Sequence, residues 1–324
     1  MKTKNGPDLK MLAKNREVVV ILILLAGTCL VSAFTPYFLT SANLLSIFMG
    51  VSVEGLIAVG MALVLINGGM DLAVGSTMAF TGVAVGLLLK NGVPVLSAIL
   101  IAMLLSAGIG LMNGLLIAKL GLNPFIATLG IMSAIRGIML ILSKGMAVLD
   151  MPPAFTVIGQ GGFGNIQYPI FITISIVIIS DIALRNSRFF RQSYYVGSNE
   201  KAAKLNGINV VKVKIFNYCI CGLCAGIAGI IVTARFGSAS VTLGSNTALS
   251  VITACIIGGA SLNGGQGTIL GAFLGALFMQ VLSTSLNLLG VNIYWQNLIT
   301  GIILILAILI DSLNEMRVSK QKML

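Results

Sequence analysis

Residues 185–214 read RNSRFFRQSYYVGSNEKAAKLNGINVVKVK, and apolar runs lie on both sides of them, at 169–184 and 213–233. The stretch holds seven basic residues and one acidic residue. A strongly basic segment between two membrane-crossing runs lies in water, and the positive-inside rule places it on the cytoplasmic side. The arrangement predicts an all-α polytopic membrane protein with a large cytoplasmic loop.

The composition leads to the same class. Hydrophobic residues make up 57% of the chain and charged residues 9%, and the mean hydropathy is +1.04. A soluble domain has about 25% charged residues, so this chain cannot cover a water-facing surface. The net charge of +11 comes from clusters between apolar runs. That pattern is typical of membrane topology, and we expect no nucleic-acid partner.

Ten apolar runs mark candidate helices, and the run at 249–262 is short for a full crossing. We therefore predict about ten transmembrane helices, with eight to ten true crossings. Sixteen of the 20 Lys and Arg residues lie on the side of the N-terminus, which predicts that both termini are cytoplasmic. The runs are 18–35, 44–67, 72–89, 95–117, 124–142, 169–184, 213–233, 249–262, 268–288 and 294–310.

The predicted organisation has three parts. Residues 1–17 form a cytoplasmic tail, 18–311 the transmembrane domain with the cytoplasmic loop 185–212, and 312–324 a second cytoplasmic tail. The first run resembles a signal peptide, but it is longer than the usual signal core, so an uncleaved first span is expected.

Two long segments, 143–168 and 234–248, are expected on the outer side. They are either connectors or a landing surface for an extracytoplasmic partner. A weak similarity between GGMDL at 68–72 and GGASL at 258–262 indicates an internal duplication, which is common in transporters. The spacing of the two halves does not fix its register.

The chain lacks histidine and the G-x-x-x-x-G-K-[ST] motif. These absences exclude histidine-based triads, H-E-x-x-H zinc sites and a phosphate-binding loop. The five cysteines lie in apolar stretches, which favours packing residues over metal ligands. We expect no catalytic residues, no metal and no cofactor bound by this chain.

Within the basic loop, the sequence predicts a capped helix of about two turns. Ser198 and Asn199 are good N-cap residues, and Gly207 supplies a C-terminal stop. Such a short helix is marginal alone and needs something to pack against; the alternative is a solvated basic loop. A small face of Ala202 and Ala203 would let a partner approach closely. The candidate coupling residues are Gly197, Ser198, Asn199, Glu200, Ala202, Ala203 and Gly207.

Charged residues inside the apolar runs indicate function, because a charge at the bilayer centre costs about 2.5–3.5 kcal/mol or more. Asp71 is expected at the membrane interface or in a polar cavity between helices. Glu54 and Arg136 either line a path or pair with each other structurally. The candidates for a polar path are Glu54, Asn67, Gly68, Gly69, Asp71, Asn113, Arg136 and Asn287.

Four segments lie between about Asn43 and Asp311: GGMDLAVGS (68–76), VGSNEKAAKLNGI (196–208), ACIIGGASLNGGQGTILGAFLGA (254–276) and NLLGVNIYWQNLITGIILILAILID (287–311). In combination they resemble the permease subunits of ABC importers for monosaccharides, the ribose-type permeases. Met70 stands where that branch often has isoleucine or threonine. In the resemblance, Gly197, Asn199, Ala202, Ala203 and Gly207 match the loop that faces the ATPase.

The resemblance implies a bacterial inner-membrane subunit in the lipid bilayer. Its implied partners are a cytoplasmic ATPase, an extracytoplasmic sugar-binding protein and a second permease copy or a paralogue. ATP would act on the ATPase, and the solute would be a monosaccharide such as ribose. The alternatives are an ABC permease for a nucleoside, an autoinducer sugar or a branched-chain amino acid, an ion- or proton-coupled secondary carrier, and a passive channel or structural partner.

Overall fold

The computed structural model describes residues 16–322, which form thirteen helices and one two-stranded hairpin. The helices are α1 (Arg16–Phe34), α2 (Ser41–Ile66), α3 (Val74–Lys90), α4 (Val95–Ala118), α5 (Pro124–Ser143), α6 (Pro153–Gln160), α7 (Tyr168–Asn186), α8 (Arg188–Ser198), α9 (Glu200–Leu205), α10 (Val210–Phe236), α11 (Thr247–Ile257), α12 (Ile269–Leu288) and α13 (Ile293–Lys322). Strands β1 (Gly162–Phe163) and β2 (Ile166–Gln167) pair antiparallel between α6 and α7.

Within the described range, eight helices are long and apolar enough to cross a membrane, namely α1, α2, α4, α5, α7, α10, α12 and α13. Helix α3 has 17 residues, and α11 has 11. At about 1.5 Å per residue, α11 is about 16 Å long, or half of a hydrocarbon core of about 30 Å. The prediction of an all-α polytopic membrane protein is confirmed.

The structure adds helices to the three predicted parts of the chain. Most of the N-terminal tail at 1–17 lies outside the described residues, and Arg16 and Glu17 already belong to α1. Helix α13 continues to Lys322, so the described part of the tail at 312–324 is helical. The loop 185–212 contains α8 in addition to the expected short helix.

The helix bundle has two ends. The end that contains α8 and α9 is rich in lysine and arginine and is named here the basic face. At the other end, the opposite face, Val148 and Ala239 form a backbone bridge with N–O distances of 2.8 and 3.0 Å. Gly159 of α6 packs there against the backbone of Ala234 and Arg235. The segment 143–168 is thus ordered by contacts with the end of α10.

Helices α2 and α10 form the centre of the bundle because small residues let their backbones approach each other. A Cβ on Gly60 would lie 2.6 Å from the Cα of Cys221, and one on Gly114 of α4 would lie 2.7 Å from the Cα of Ile215. Close packing of this kind drives helix association in a membrane, where the hydrophobic effect between helices is absent. The side chains of α2 from Leu56 to Ile66 are almost completely buried.

Residues 237–246, named here the inner segment, turn back from the opposite face into the bundle. Gly86 near the end of α3 packs against Val148, whereas Gly244 packs against the backbone of Gly75 in the first turn of α3. The two contacts are separated by about 16 Å along that helix. Helix α11 therefore begins inside the bundle. Only the start of the predicted outer segment 234–248 lies at the opposite face.

Candidate coupling surface and polar cavity

Helix α9 is capped as the sequence predicts. The Oδ1 atom of Asn199 accepts a hydrogen bond from the backbone N–H of Ala202, with a distance of 3.0 Å. Gly207 has a φ of 79°, and its N–H donates to the carbonyl of Lys204 at 3.0 Å. Ser198 ends α8 instead of capping α9. The helix has six residues, slightly fewer than two turns.

An ion-pair network ties α9 to the long helix α10. The carboxylate of Glu200 lies 3.2 Å from Nζ of Lys204 and 2.7 Å from Nζ of Lys214. The hydrogen bond from Lys214 is the main cause that lowers the pKa of Glu200 below its ordinary value. The contribution of this link is complete above the ordinary glutamate pKa and is lost only as the pH falls through the lowered value.

The two alanines of α9 face in different directions. Ala203 is buried against Val196, Val210 and Val213, so Ala202 forms most of the small exposed face that the sequence predicts. Ala202 is exposed, and Leu205, three residues later, is 90% exposed. A groove of about 440 Å³ runs beside them, lined by Tyr195, Ser198, Asn199, Ala202, Ala203, Asn206 and Ile208. Sequence reasoning missed Leu205, whose signal is an apolar side chain on the face of α9 away from Ala203.

Backbone contacts join the start of α9 to the bundle through a cluster named here the glycine joint, Gly68, Gly197, Gly264 and Gly265. The N–H of Gly265 donates to the carbonyl of Ile66 at 2.8 Å. A Cβ on Gly197 would overlap that same carbonyl oxygen, and one on Gly264 would lie 2.8 Å from the Cα of Gly68. The segments that carry the GGMDL and GGASL motifs thus meet at the junction of α8 and α9.

Helix α8 is also tied to the bundle by buried side chains. Nδ2 of Asn217 in α10 donates to Oγ of Ser193 at 2.9 Å and to the carbonyl of Leu63 at 3.3 Å. The hydroxyl of Tyr194 donates to the carbonyl of Gly267 at 2.8 Å. These bonds link α8 to α2, to α10 and to the loop before α12.

Asp71 lies in a closed polar cluster near the basic face. One of its oxygens accepts from the N–H of Ala73 at 2.8 Å, and Nδ2 of Asn113 lies 3.1 and 3.2 Å from the two oxygens. Asp71 is only 2% exposed. The hydroxyl of Tyr218 donates to the carbonyl of Met70 at 3.1 Å. Asp71 therefore orders the chain that leads into α3.

Asp71→Ala should destabilise the protein because the donors of Ala73 and Asn113 both lose their acceptor. Each buried unsatisfied donor costs about 1–3 kcal/mol. We expect a lower melting temperature for the purified protein in detergent, and a smaller loss for Asp71→Asn, which keeps one acceptor. Asp150→Asn, a change at an exposed carboxylate on the opposite face, serves as the control. An Asp71→Ala protein as stable as the parent would contradict this role.

A polar cavity of about 770 Å³ lies between α2, α11, α12, α13 and the inner segment. This volume is in the range of small-molecule sites, about 300–1,000 Å³. The cavity is lined by Glu54, Ser240, Thr242, Leu243, Gly244, Ser245, Asn246, Thr247, Leu249, Ser250, Thr253, Met279, Gln280, Leu282, Ser283, Leu286, Ile293, Gln296, Asn297, Thr300, Gly301 and Leu304.

The cavity extends from the opposite face towards the middle of the bundle. Its rim includes Ile293 at the start of α13 and Ser240 in the inner segment. Glu54 lies about 20 Å along α2 from Ser41, which corresponds to the middle of the membrane. The Oγ atom of Ser250 lies 3.4 Å from each carboxylate oxygen of Glu54.

Glu54 and Arg136 have different partners instead of pairing with each other. The Nη1 atom of Arg136 donates to the carbonyls of Val241 at 2.7 Å and Leu243 at 3.1 Å. Arg136 therefore holds the inner segment, which forms a wall of the cavity. Asn287 is exposed near the rim and accepts from Nε2 of Gln296 at 2.7 Å. The remaining predicted path residues lie near the basic face: Asn67, Gly68, Gly69, Asp71 and Asn113.

Residues 43–308 match the protein family described as branched-chain amino acid transport system / permease component. The chain belongs to this permease family. The permease is 39% identical to the ribose import permease protein RbsC of Bacillus subtilis (strain 168) over 87% of the chain and 88% of that relative. It is 37% identical to RbsC of Escherichia coli (strain K12), over 93% and 94% of the two chains.

A second group of relatives is named after L-arabinose. The permease is 36% identical to the L-arabinose ABC transporter permease protein AraH of Azospirillum brasilense, over 92% of the chain and 87% of that relative. No solved structure matches the permease significantly. The family resemblance expected from the four sequence segments is confirmed.

Proposed function

We propose that this permease is the transmembrane subunit of an ATP-driven importer that carries ribose across the bacterial inner membrane. The observation that carries the proposal is the similarity to ribose import permeases at 37–39% identity over 87–93% of the chain. The capped helix at one face and the polar cavity that opens at the other are the two surfaces that such a subunit requires.

In this proposal the basic face is cytoplasmic, because it carries most of the lysines and arginines. A separate ATPase binds α9 through Ala202, Leu205 and the adjoining groove. ATP acts on that ATPase, and this chain binds no cofactor. An extracytoplasmic sugar-binding protein delivers the solute at the opposite face. Lipid surrounds the bundle, and nucleic acid has no part in the assembly.

In this proposal, the glycine joint and the buried side chains of α8 transmit motion from the ATPase to the membrane-spanning helices. Closure of the ATPase displaces α9, and α8 passes that displacement to α2, α10 and α12 through Asn217, Tyr194 and Gly197. Helices α2 and α12 carry Glu54 and Gln280, which line the cavity. Motion at the cytoplasmic face therefore changes the shape of the cavity.

The proposal includes a second permease copy or a close paralogue beside α13. This helix lines the cavity through Asn297, Thr300 and Leu304. Most of its large apolar side chains are exposed in the isolated subunit, including Leu298, Ile302, Ile305, Leu306, Leu309 and Ile310. A second subunit against α13 would separate the polar cavity from lipid.

Reconstitution of the permease with a candidate ATPase and a candidate sugar-binding protein from the same organism tests this function. Labelled ribose should accumulate in proteoliposomes only when ATP is supplied, and a protonophore should leave the rate unchanged. Uptake that survives without nucleotide but collapses with the protonophore would identify a proton-coupled carrier. Competition by unlabelled arabinose and ribose ranks the two sugars; preference for arabinose would reassign the substrate.

A further inference from the structure

Three helices bring polar side chains together at the deep end of the cavity. Glu54 comes from α2, Ser250 and Thr253 come from α11, and Gln280 comes from α12. The half-length of α11 is what makes this possible, because the inner segment delivers its first turn directly into the bundle. The result is a polar floor at the depth where a membrane protein is normally most apolar.

Glu54 has unused acceptor capacity at this floor. Among the described residues, its hydrogen-bond partner is Ser250, at 3.4 Å from both oxygens, which is near the limit for such a bond. A carboxylate offers about four acceptor positions, and one hydroxyl can fill only one of them well. A carboxylate at this depth is costly unless donors surround it. Water or a hydroxyl-rich solute in the cavity would supply those donors.

The rest of the lining offers a sugar an amide group and apolar surface. Gln280 offers an amide, and its Nε2 atom lies 3.3 Å from Oγ1 of Thr284, which leaves its carbonyl free to accept. Met279, Leu249 and Leu304 provide apolar surface for C–H groups. The described lining has no aromatic ring on which a sugar could stack. Such a site binds weakly through hydrogen bonds, which suits a solute that must be released.

We propose that the floor of the cavity is a transient binding site for a polyhydroxylated solute, at which Glu54 accepts hydrogen bonds from two neighbouring hydroxyl groups. The name of the solute rests on the proposed function, whereas the site rests on the geometry of the cavity. At about 30 Å³ per water molecule, the cavity holds about 25 waters. A monosaccharide therefore enters with part of its hydration and exchanges some of it for Glu54 and Gln280.

A labelling experiment on the purified full-length permease tests the site directly. Thr300→Cys, on the α13 wall, places a thiol in the cavity, and Cys29→Ser removes the exposed native thiol. A membrane-impermeant maleimide should label this reporter, and D-ribose at high millimolar concentration should slow the labelling at least threefold. Sodium chloride of equal osmolarity should not slow it.

Glu54→Leu in the reporter background should remove the protection by ribose, and Glu54→Gln should keep part of it. Asp150→Asn, which removes one exposed carboxylate outside the cavity, should keep all of it. Equal protection in Glu54→Leu, or no protection in the reporter itself, would overturn the proposal. Gel filtration checks that each variant is folded. If Glu54→Leu does not fold, the partial loss of protection expected for Glu54→Gln decides the question.

The outcome is independent of ATP-driven uptake. Protection that depends on Glu54, together with failure of the reconstituted complex to move ribose on ATP, would reject the proposed function and leave the site standing. Normal uptake by Glu54→Leu, with unprotected labelling throughout, would reject the site and leave the proposed function standing.

Discussion

Leu205→Asp is expected to abolish ATP-driven uptake while the permease still inserts and folds. The side chain is 90% exposed at the end of α9, on the face that also presents Ala202. Leu205 shares this face with Ala202 and is followed by Asn206, and both of these line the groove, so we expect it to anchor the ATPase. Loss of such an anchor typically costs at least about 2 kcal/mol. That cost corresponds to about 30-fold weaker binding of the ATPase, measurable by copurification and by biolayer interferometry. Ala202→Glu, with a bulky charge on the same face, should have the same effect.

Two controls separate docking from a general effect of the new charge. Leu120 is also on the basic face, between α4 and α5, and is 67% exposed. Leu120→Asp should leave ATPase binding unchanged, and Leu205→Met should preserve it because an apolar side chain remains. The melting temperature of Leu205→Asp alone should match that of the parent, since an exposed side chain changes stability by about 0.5 kcal/mol at most. Retained uptake in Leu205→Asp would contradict the docking role.

Gly197→Val is expected to prevent stable folding, because there is no space for a side chain at this position. A Cβ would overlap the carbonyl oxygen of Ile66 and press on the amide of Gly265. Both contacts are backbone atoms, so they cannot yield in the way that a flexible side chain does. Overpacking typically costs about 1–3 kcal/mol and more where the backbone must move. The yield of monodisperse protein and its melting temperature should both fall.

Gly130→Ala is the matched control, because nothing lies within 4 Å of a Cβ at this helical position. That change should be neutral or stabilise the permease by about 0.5–1 kcal/mol. Gly197→Ala should fall between the two. A Gly197→Val protein with the parent's melting temperature would show that α2, α8 and the loop before α12 are not in the close contact described. The defect is expected without any ATPase present, unlike that of Leu205→Asp.

The membrane architecture could be predicted from the sequence because apolar length and the distribution of lysine and arginine report it directly. The capped α9 was predictable for a similar reason, since Asn199 and Gly207 act on their own neighbours. Helix α8 was missed because its charged residues conceal an apolar stripe of Phe190 and Tyr194, which only its contacts with the bundle reveal. That Ala203 is buried and Ala202 is exposed likewise depends on where α10 lies.

The candidate path was only partly predictable. Glu54 was recognised as an intramembrane charge, and it does line the cavity. Asp71 was recognised in the same way, but it does not line the cavity. Its oxygens accept hydrogen bonds from Ala73 and Asn113, because the glycine-rich turn after α2 places it near the glycine joint. The role of Arg136 depends on residues 105 and 107 positions away in the chain. No local pattern records such a contact.

The contact between Arg136 and the inner segment also has a consequence for biosynthesis. A non-helical backbone cannot face bare hydrocarbon, since its carbonyls would lack donors. The ribosome completes α5 about a hundred residues before Val241 emerges, which corresponds to about 5–20 s at ordinary elongation rates. Arg136 is therefore synthesised before the segment whose carbonyls its guanidinium group binds, so the donor exists when those carbonyls emerge.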